Sequence, residues 1–397
     1  MRCAVLVVTA AALALAAPPV ASSSDPNCTG SYGGAPPRAG ALLRLGIDPG
    51  LAGSAGGAQL PTTPDDPAKD LAGVKALAVP GRLLVVRLNR LFWSDGQPGI
   101  AAFQQLVQRY SSAGFLVELQ VRYHPPSGEA GDIPAWLAYV RRVVDTFGAN
   151  PRVVSMTITN EVNINFSPNT SDGSYSGAQD ALIGGIEAAH QEALKRRFTQ
   201  LRFGFTYAYR FPQDSSFFSY LAVHGGPAFV HALGFVGLDF YPGAVYPPAM
   251  APGDTYRAEL AQAAGVLRNC FEPQAGIGPA VPIWITEDGI SSGTGSEADQ
   301  ATALGELVQA AHDYSGTFNI TDYRWFNLRD STSSTQPAYL APLTFSAFGL
   351  LRDDYSAKPA LAAYRQVIAR LGASTLELVG PRRYRRRRQR EVDQRPP

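Results

Sequence analysis

Strand-like and helix-like stretches alternate eight times between Ala41 and Leu371, and that rhythm constrains the fold more than any other feature. The strand candidates are Ala41–Ile47, Leu83–Leu88, Phe115–Val121, the run starting at Val153, Leu201–Tyr207, Gly234–Tyr241, the run starting at Val281, and Ile320–Leu328. Each is a short apolar run rich in β-branched and aromatic residues, followed by a longer stretch with helical periodicity and caps. Asp65 or Asp66 is placed to cap the first helix, and Asp132, with Pro134 in the first turn, opens the third. Strand–helix alternation is the pattern of parallel α/β architecture. Eight such units close into a (β/α)₈ barrel, an α/β fold without exposed sheet edges. A doubly wound open sheet satisfies the same alternation. No internal repeat suggests a solenoid.

Two strands end in a way that a buried strand has no use for. One runs Val153-Val154-Ser155-Met156-Thr157-Ile158 and stops on Thr159-Asn160-Glu161. The other runs Val281-Pro282-Ile283-Trp284-Ile285 and stops on Thr286-Glu287-Asp288-Gly289. In a (β/α)₈ barrel the C-terminal strand ends build the active site. Two carboxylates on two strand ends facing one cleft suit acid/base and nucleophilic work on a glycosidic bond. Each glutamate taken alone is equally a structural ion-pair partner, and Glu118 and Asp239, within their strands, are the rival carboxylates.

The remaining strand ends extend the set. Arg87 lies on the second strand, Tyr123-His124 end the third, Tyr241-Pro242 the sixth, and Trp325 lies on the eighth. Phe348-Gly349-Leu350-Leu351-Arg352-Asp353-Asp354 and Lys358-Pro359-Ala360 precede the last helix. Together and in this order, these motifs resemble those of clan A of the glycoside hydrolases, with families 5 and 39 as the nearest patterns. The resemblance spans most of the chain after residue 40. It implies a retaining β-glycosidase with Glu161 as general acid/base and Glu287 as nucleophile. It also implies that Tyr241 hydrogen-bonds the nucleophile, Asn160 binds the sugar 2-hydroxyl, Arg87 orients Glu287, and Trp325 floors the sugar. His124 either joins the site or caps the loop before Pro125-Pro126.

The chemistry stands beside the resemblance. Two carboxylates ~5.5 Å apart at an effective dielectric of ~20 repel by ~3 kcal/mol, so one keeps its proton near neutrality. Two other readings compete. A barrel that binds sugar without turnover needs the same cleft. Gly289-Ile290-Ser291-Ser292-Gly293 matches the nucleophile elbow of serine esterases, but the one later histidine, His312, lies on a predicted helix. Of five histidines only His124 is at a strand end, so neither a catalytic metal nor a cofactor is expected.

The chain's 397 residues divide into four expected parts. Residues 1–22 read as a secretory signal, with Arg2, an apolar run from Val5 to Ala17, and small residues before the cleavage region. Residues 23–40 read as a Ser/Gly/Pro-rich arm, 41–372 as the barrel, and 373–397 as an Arg-rich tail without the apolar content of a core. The formal net charge of +1 points to no nucleic-acid partner. No run after residue 22 is long enough for stable membrane insertion. A secreted monomer acting on carbohydrate is therefore expected. Removing the signal takes Cys3 away and leaves Cys28 and Cys270, an even number that fits one disulfide in an oxidising compartment. Loops 165–176, 242–253 and 329–346 carry Tyr175, Tyr246 and Tyr339 as possible subsite walls.

Overall fold

The computed structural model describes residues 27–50, 63–168, 170–243, 250, 252–293, 295–332 and 346–374. Strands β1 (Arg44–Ile47), β2 (Val85–Phe92), β3 (Leu116–Arg122), β4 (Val153–Ile158), β5 (Arg202–Ala208), β6 (Phe235–Phe240), β7 (Ile283–Asp288) and β8 (Ile320–Trp325) pair in chain order. Every pair is parallel, and β8 returns to β1 with Arg44 opposite Asp322 and Ile47 opposite Trp325. The sheet is a closed barrel, not the open sheet that the alternation also allowed.

Helices cover the barrel: α1 (Pro67–Leu77), α2 (Gly96–Ser112), α3 (Ile133–Phe147), α4 (Ala178–Arg196), α5 (Asp214–His224), α6 (Gly226–Ala232) and α7 (Tyr256–Val266). A π-helical turn, Leu267–Phe271, carries α7 into the short α8 (Glu272–Gln274), and α9 (Glu297–Asp313), α10 (Ser315–Phe318) and α11 (Pro359–Leu371) complete the ring. Asp66 caps α1 by accepting from the amides of Ala68 and Lys69, and Asp132 caps α3 by accepting from Ala135. The sequence places β2 four residues short. The strand continues to Phe92 because an irregularity between Leu88 and Leu91, with Arg90 at φ 73°, lets it regain register with β3.

The barrel interior is charged where such barrels are usually branched and apolar. Arg87 of β2 donates to Glu118 of β3 at 3.1 Å, and Glu118 also accepts from Arg324 of β8 at 3.1 Å. Arg324 bridges to Asp322 at 2.9 Å, and Asp322 accepts from Arg44 of β1. Arg87, Glu118, Asp322 and Arg324 are all buried. Gly46 makes room for this layer: a Cβ there would sit 2.5 Å from the Arg324 side chain. The main apolar core lies outside the sheet, between strands and helices, around residues such as Val86, Val117, Trp136, Val140 and Leu304, and a second small cluster joins Leu83, Val85, Leu116, Val154 and Ala373.

The segment before β1 is strapped to the barrel. Gln262 Oε1 accepts from the amides of Tyr32 and Gly33, and Ser315 Oγ accepts from Gly40. Cys28 and Cys270 form a disulfide across 242 positions of sequence. Below the barrel, the Ala373 amide donates to Leu43 and its carbonyl accepts from Leu83, so the ordered wall extends past residue 372. The expected signal, and the tail after Ser374, lie outside the described residues, as do Tyr246 and Tyr339.

Reducing the Cys28–Cys270 bond is expected to cost about 2–4 kcal/mol of stability by releasing the arm and a long loop of the unfolded chain. Guanidinium unfolding with and without reductant reads this directly. An unchanged midpoint would show that the hydrogen bonds of the arm suffice.

Candidate active site

The end of β4 is sharply folded. Thr159 and Glu161 adopt φ of 67° and 45°, the left-handed region that non-glycine residues rarely occupy. Three buried groups hold this turn. Asp172 accepts from the amides of Tyr123 (2.8 Å) and Asn160 (2.9 Å), and from Arg122 Nε (2.8 Å). Thr206 of β5 accepts from the Glu161 amide at 2.9 Å and donates to Asn160 Oδ1 at 3.1 Å. Gln120 of β3 donates to the same Asn160 oxygen. The Asn160 amide nitrogen then donates to Thr170 O (2.9 Å) and, at 3.3 Å, to Glu161 Oε2. Ser171 donates to that carboxylate oxygen at 2.8 Å.

Across the barrel, Glu287 near the end of β7 has donors on both oxygens. Arg87 Nη1 donates to Oε1, and the Tyr241 hydroxyl donates to Oε2 at 2.7 Å. Arg87 is itself fixed by Glu118, so the cation cannot swing away from Glu287 without leaving a second carboxylate. One carboxylate oxygen each of Glu161, Asp239 and Glu287 lie within 4.8 Å of one another. The two glutamates thus face one another closely enough to act on one bond between them.

Their environments differ. Burial first, and the Glu287 charge second, push the Glu161 carboxyl up to about 8, against the Ser171 hydrogen bond and the more distant Arg122 and Arg87. Burial and the glutamate charges also push Asp239 well above the usual carboxylate range. Asp239 Oδ1 accepts from Thr286 at 2.6 Å, while Oδ2 is buried without a hydrogen-bond partner. Asp239 therefore joins the cluster as a third buried carboxyl whose protonated form the site favours. Glu118 belongs to the charged layer beneath, not to the cluster.

Of the other residues singled out in the sequence, Arg87, Asn160 and Tyr241 meet the two glutamates directly. His124 does not: its Nδ1 pairs with Ser94 Oγ at 3.0 Å, and its ring meets Phe92 and Tyr175, each at 5.1 Å. Trp325 departs from the expected sugar floor. It is fully buried, its indole N–H donates to Phe348 O at 3.2 Å, and no ring face is open. Ser291 Oγ accepts from the Gly293 amide, and no hydrogen bond joins it to His312 among the described residues. Sequence reasoning missed Gln120, Thr206, Ser171 and Asp172. Gln120 shares its strand face with Glu118, two residues earlier, and that period was the available signal. Nothing local marks Ser171 or Asp172.

If Glu161 supplies the proton, kcat/KM should fall as pH rises through about 8, because the acid is protonated below that value and spent above it. A pH–rate profile on an unactivated glycoside checks this. An alkaline limb that starts below pH 6 would remove Glu161 from the role.

No family model and no curated protein matches the sequence. Solved structures do. A GH5_18 protein from Bifidobacterium longum is 16% identical with a TM-score of 0.55, over 84% of this chain and 81% of that one. A family 39 glycoside hydrolase from Bacteroides cellulosilyticus gives 16% and 0.55 over 84% and 64%. A β-glucosidase from Thermotoga maritima gives 14% and 0.58 over 84% and 99%. At such identities the likeness is one of architecture. The chain has the barrel fold of the clan A glycoside hydrolases, and its clustered carboxylates stand at the ends of the fourth, sixth and seventh strands.

Proposed function

We propose that the protein is a retaining β-glycosidase. The observation that carries this reading is the Glu161–Glu287 pair, with oxygens within 4.8 Å, one carboxyl pushed toward its protonated form and the other clamped by Arg87 and Tyr241. In the first step a Glu287 oxygen attacks the anomeric carbon. The bond to the leaving oxygen breaks, and the Glu161 proton goes to that oxygen. The product is a glycosyl ester on Glu287 and a Glu161 carboxylate. In the second step Glu161 takes a proton from water, the hydroxyl bonds to the anomeric carbon, and Glu287 leaves as carboxylate. Arg87 and Tyr241 stabilise the charge that returns to Glu287 in that step. Asn160, locked by Gln120, Thr206 and Thr170, is rigid enough to read a sugar hydroxyl next to the reacting carbon.

Similar folds are described as a GH5_18 variant bound to Manβ1-4GlcNAc, a β-glucosidase and an exo-β-1,4-mannosidase. Glucosides and mannosides in β linkage are therefore the first substrates to try. A signal-like N-terminus and the Cys28–Cys270 bond support action outside the cell. One chain supplies both carboxylates, so the reading needs no second copy.

The test uses 2,4-dinitrophenyl 2-deoxy-2-fluoro-β-glucoside and -mannoside as traps. The expected result is a stable adduct on the peptide containing Glu287, with the β-anomer as first product from the ordinary glycosides. Label on another residue, or an α first product, would overturn the mechanism. Sugar binding without adduct or turnover would favour the silent binding barrel.

A further inference from the structure

Among the described residues, every hydrogen bond to the Glu161 carboxyl falls on one oxygen. Oε2 accepts from Ser171 Oγ at 2.8 Å and from Asn160 Nδ2 at 3.3 Å. A carboxyl oxygen offers about two lone-pair sites, and these two donors fill those of Oε2. Ser171 has one hydrogen and two acceptors in reach, Glu161 Oε2 at 2.8 Å and Thr170 Oγ1 at 3.2 Å. Thr170 spends its own hydrogen on Ser167 Oγ at 2.8 Å. The shorter contact, and the charge of an ionised carboxyl, direct the Ser171 hydrogen to Glu161. The loop after β4 delivers this hydroxyl by folding back on itself. The amides of Thr170 and Ser171 both donate to Ser167 O, and the Asp172 amide donates to Asn160 O at 2.9 Å. Ser171 is thereby fully buried, ten residues past the carboxyl that it touches.

On the reading of Glu161 as the general acid, one of its two oxygens must present a proton to the leaving oxygen. The last torsion of a glutamate side chain is broad and nearly two-fold, so a carboxyl that nothing holds can turn either oxygen to the substrate. We propose that Ser171 is a positioning residue that occupies Oε2 and so makes Oε1 the oxygen that carries the proton to the leaving group. The Asn160 bond to the same oxygen, at 3.3 Å, is too long to do this alone. The Ser171 hydroxyl also favours the ionised carboxyl, because it donates to the charge. It therefore serves both half-reactions: it confines the proton to one oxygen when Glu161 is the acid, and it steadies the carboxylate when Glu161 is the base. The charged and titratable groups that face Glu161 are Glu287 on β7, Asp239 on β6, Arg87 on β2, and Arg122 on β3 with its partner Asp172. None of them bonds to the Ser171 side chain, so changing Ser171 leaves them in place.

The test is Ser171→Ala, read in two ways that do not depend on how much of the protein is folded. The alkaline limb of kcat/KM on a disaccharide should move to higher pH, by about half a pH unit or more, because a bond that favours the carboxylate is gone. The ratio of kcat/KM on the disaccharide to kcat/KM on a 2,4-dinitrophenyl glycoside should fall about 10-fold. Both constants report the first step, and only the disaccharide needs its leaving oxygen protonated there. Ser167→Ala, which alters the same turn and spares the bond to Glu161, should keep the wild-type limb and ratio. A limb that stays in place or moves to lower pH in Ser171→Ala, or a loss shared equally by the two substrates, would overturn the role of Ser171 and leave the retaining mechanism standing. A wild type that forms no adduct on Glu287 would overturn both.

Discussion

Glu287→Gln is expected to lower kcat/KM by roughly 10⁴-fold, about 5.5 kcal/mol of transition-state stabilisation, because an amide cannot form the glycosyl ester. The substitution preserves shape. Glutamine still accepts from Tyr241, and Arg87 keeps Glu118 as a counter-charge, so the barrel should remain folded. Melting curves beside the kinetics would establish that. Removing the Glu287 charge should also bring the Glu161 carboxyl down from about 8. The fall should be partial, since burial is the larger cause and stays in place. Carbon-13 NMR of labelled glutamate follows that titration. A variant that keeps more than about a tenth of wild-type turnover would place the nucleophile elsewhere, and Asp239 would be the next carboxyl to examine.

Glu161→Gln is expected to act according to the leaving group. On an unactivated disaccharide, which needs protonation to depart, kcat/KM should drop by about 10²–10⁴-fold, the usual worth of a positioned general acid. On a 2,4-dinitrophenyl glycoside, whose leaving group departs unaided, the first step should stay fast. The second step still needs Glu161 as base. Dinitrophenolate should therefore appear in a burst equal to the enzyme present, followed by slow steady turnover. Equal losses on both substrates, with no burst, would show that Glu161 only shapes the site. The two glutamates should thus differ in kind: loss of Glu287 abolishes the ester, whereas loss of Glu161 lets it accumulate.

The barrel was legible because its strands read as short runs rich in apolar and β-branched residues, so Val153–Ile158, with Ser155 and Thr157 inside it, and Ile283–Ile285 stand out. The carboxylates at their ends were legible for the converse reason, as polar groups where burial should continue. Arg87, inside β2, and Tyr241, just past β6, followed from the resemblance to clan A glycoside hydrolases. Asp172 was not legible, since an aspartate in a polar loop looks the same whether it faces water or anchors Tyr123, Asn160 and Arg122. Trp325 misled because strand position alone does not say whether a ring faces the cleft or the wall, and the Phe348 carbonyl decides it. The boundary of β2 failed at Arg90, whose φ of 73° is the sort of irregularity that residue type rarely announces.

The ionic layer beneath the site bears on how such a chain can drift over generations. Arg44, Arg87, Glu118, Asp322 and Arg324 join four strands, and every member except Arg44, which holds Asp322 alone, serves more than one partner. Replacing one alone strands a buried charge, at about 3–5 kcal/mol, a large part of a typical domain's margin. Replacing Glu118, Asp322 and Arg324 together with fitted apolar side chains comes closer to neutral, whereas Arg87 is also held by Glu287 above. Change in this layer should therefore come in blocks, with ancestors either keeping the ionic set or exchanging it together. The loops above, which share none of these partners, remain free to vary one residue at a time, and new sugar preferences can arise there without reopening the floor.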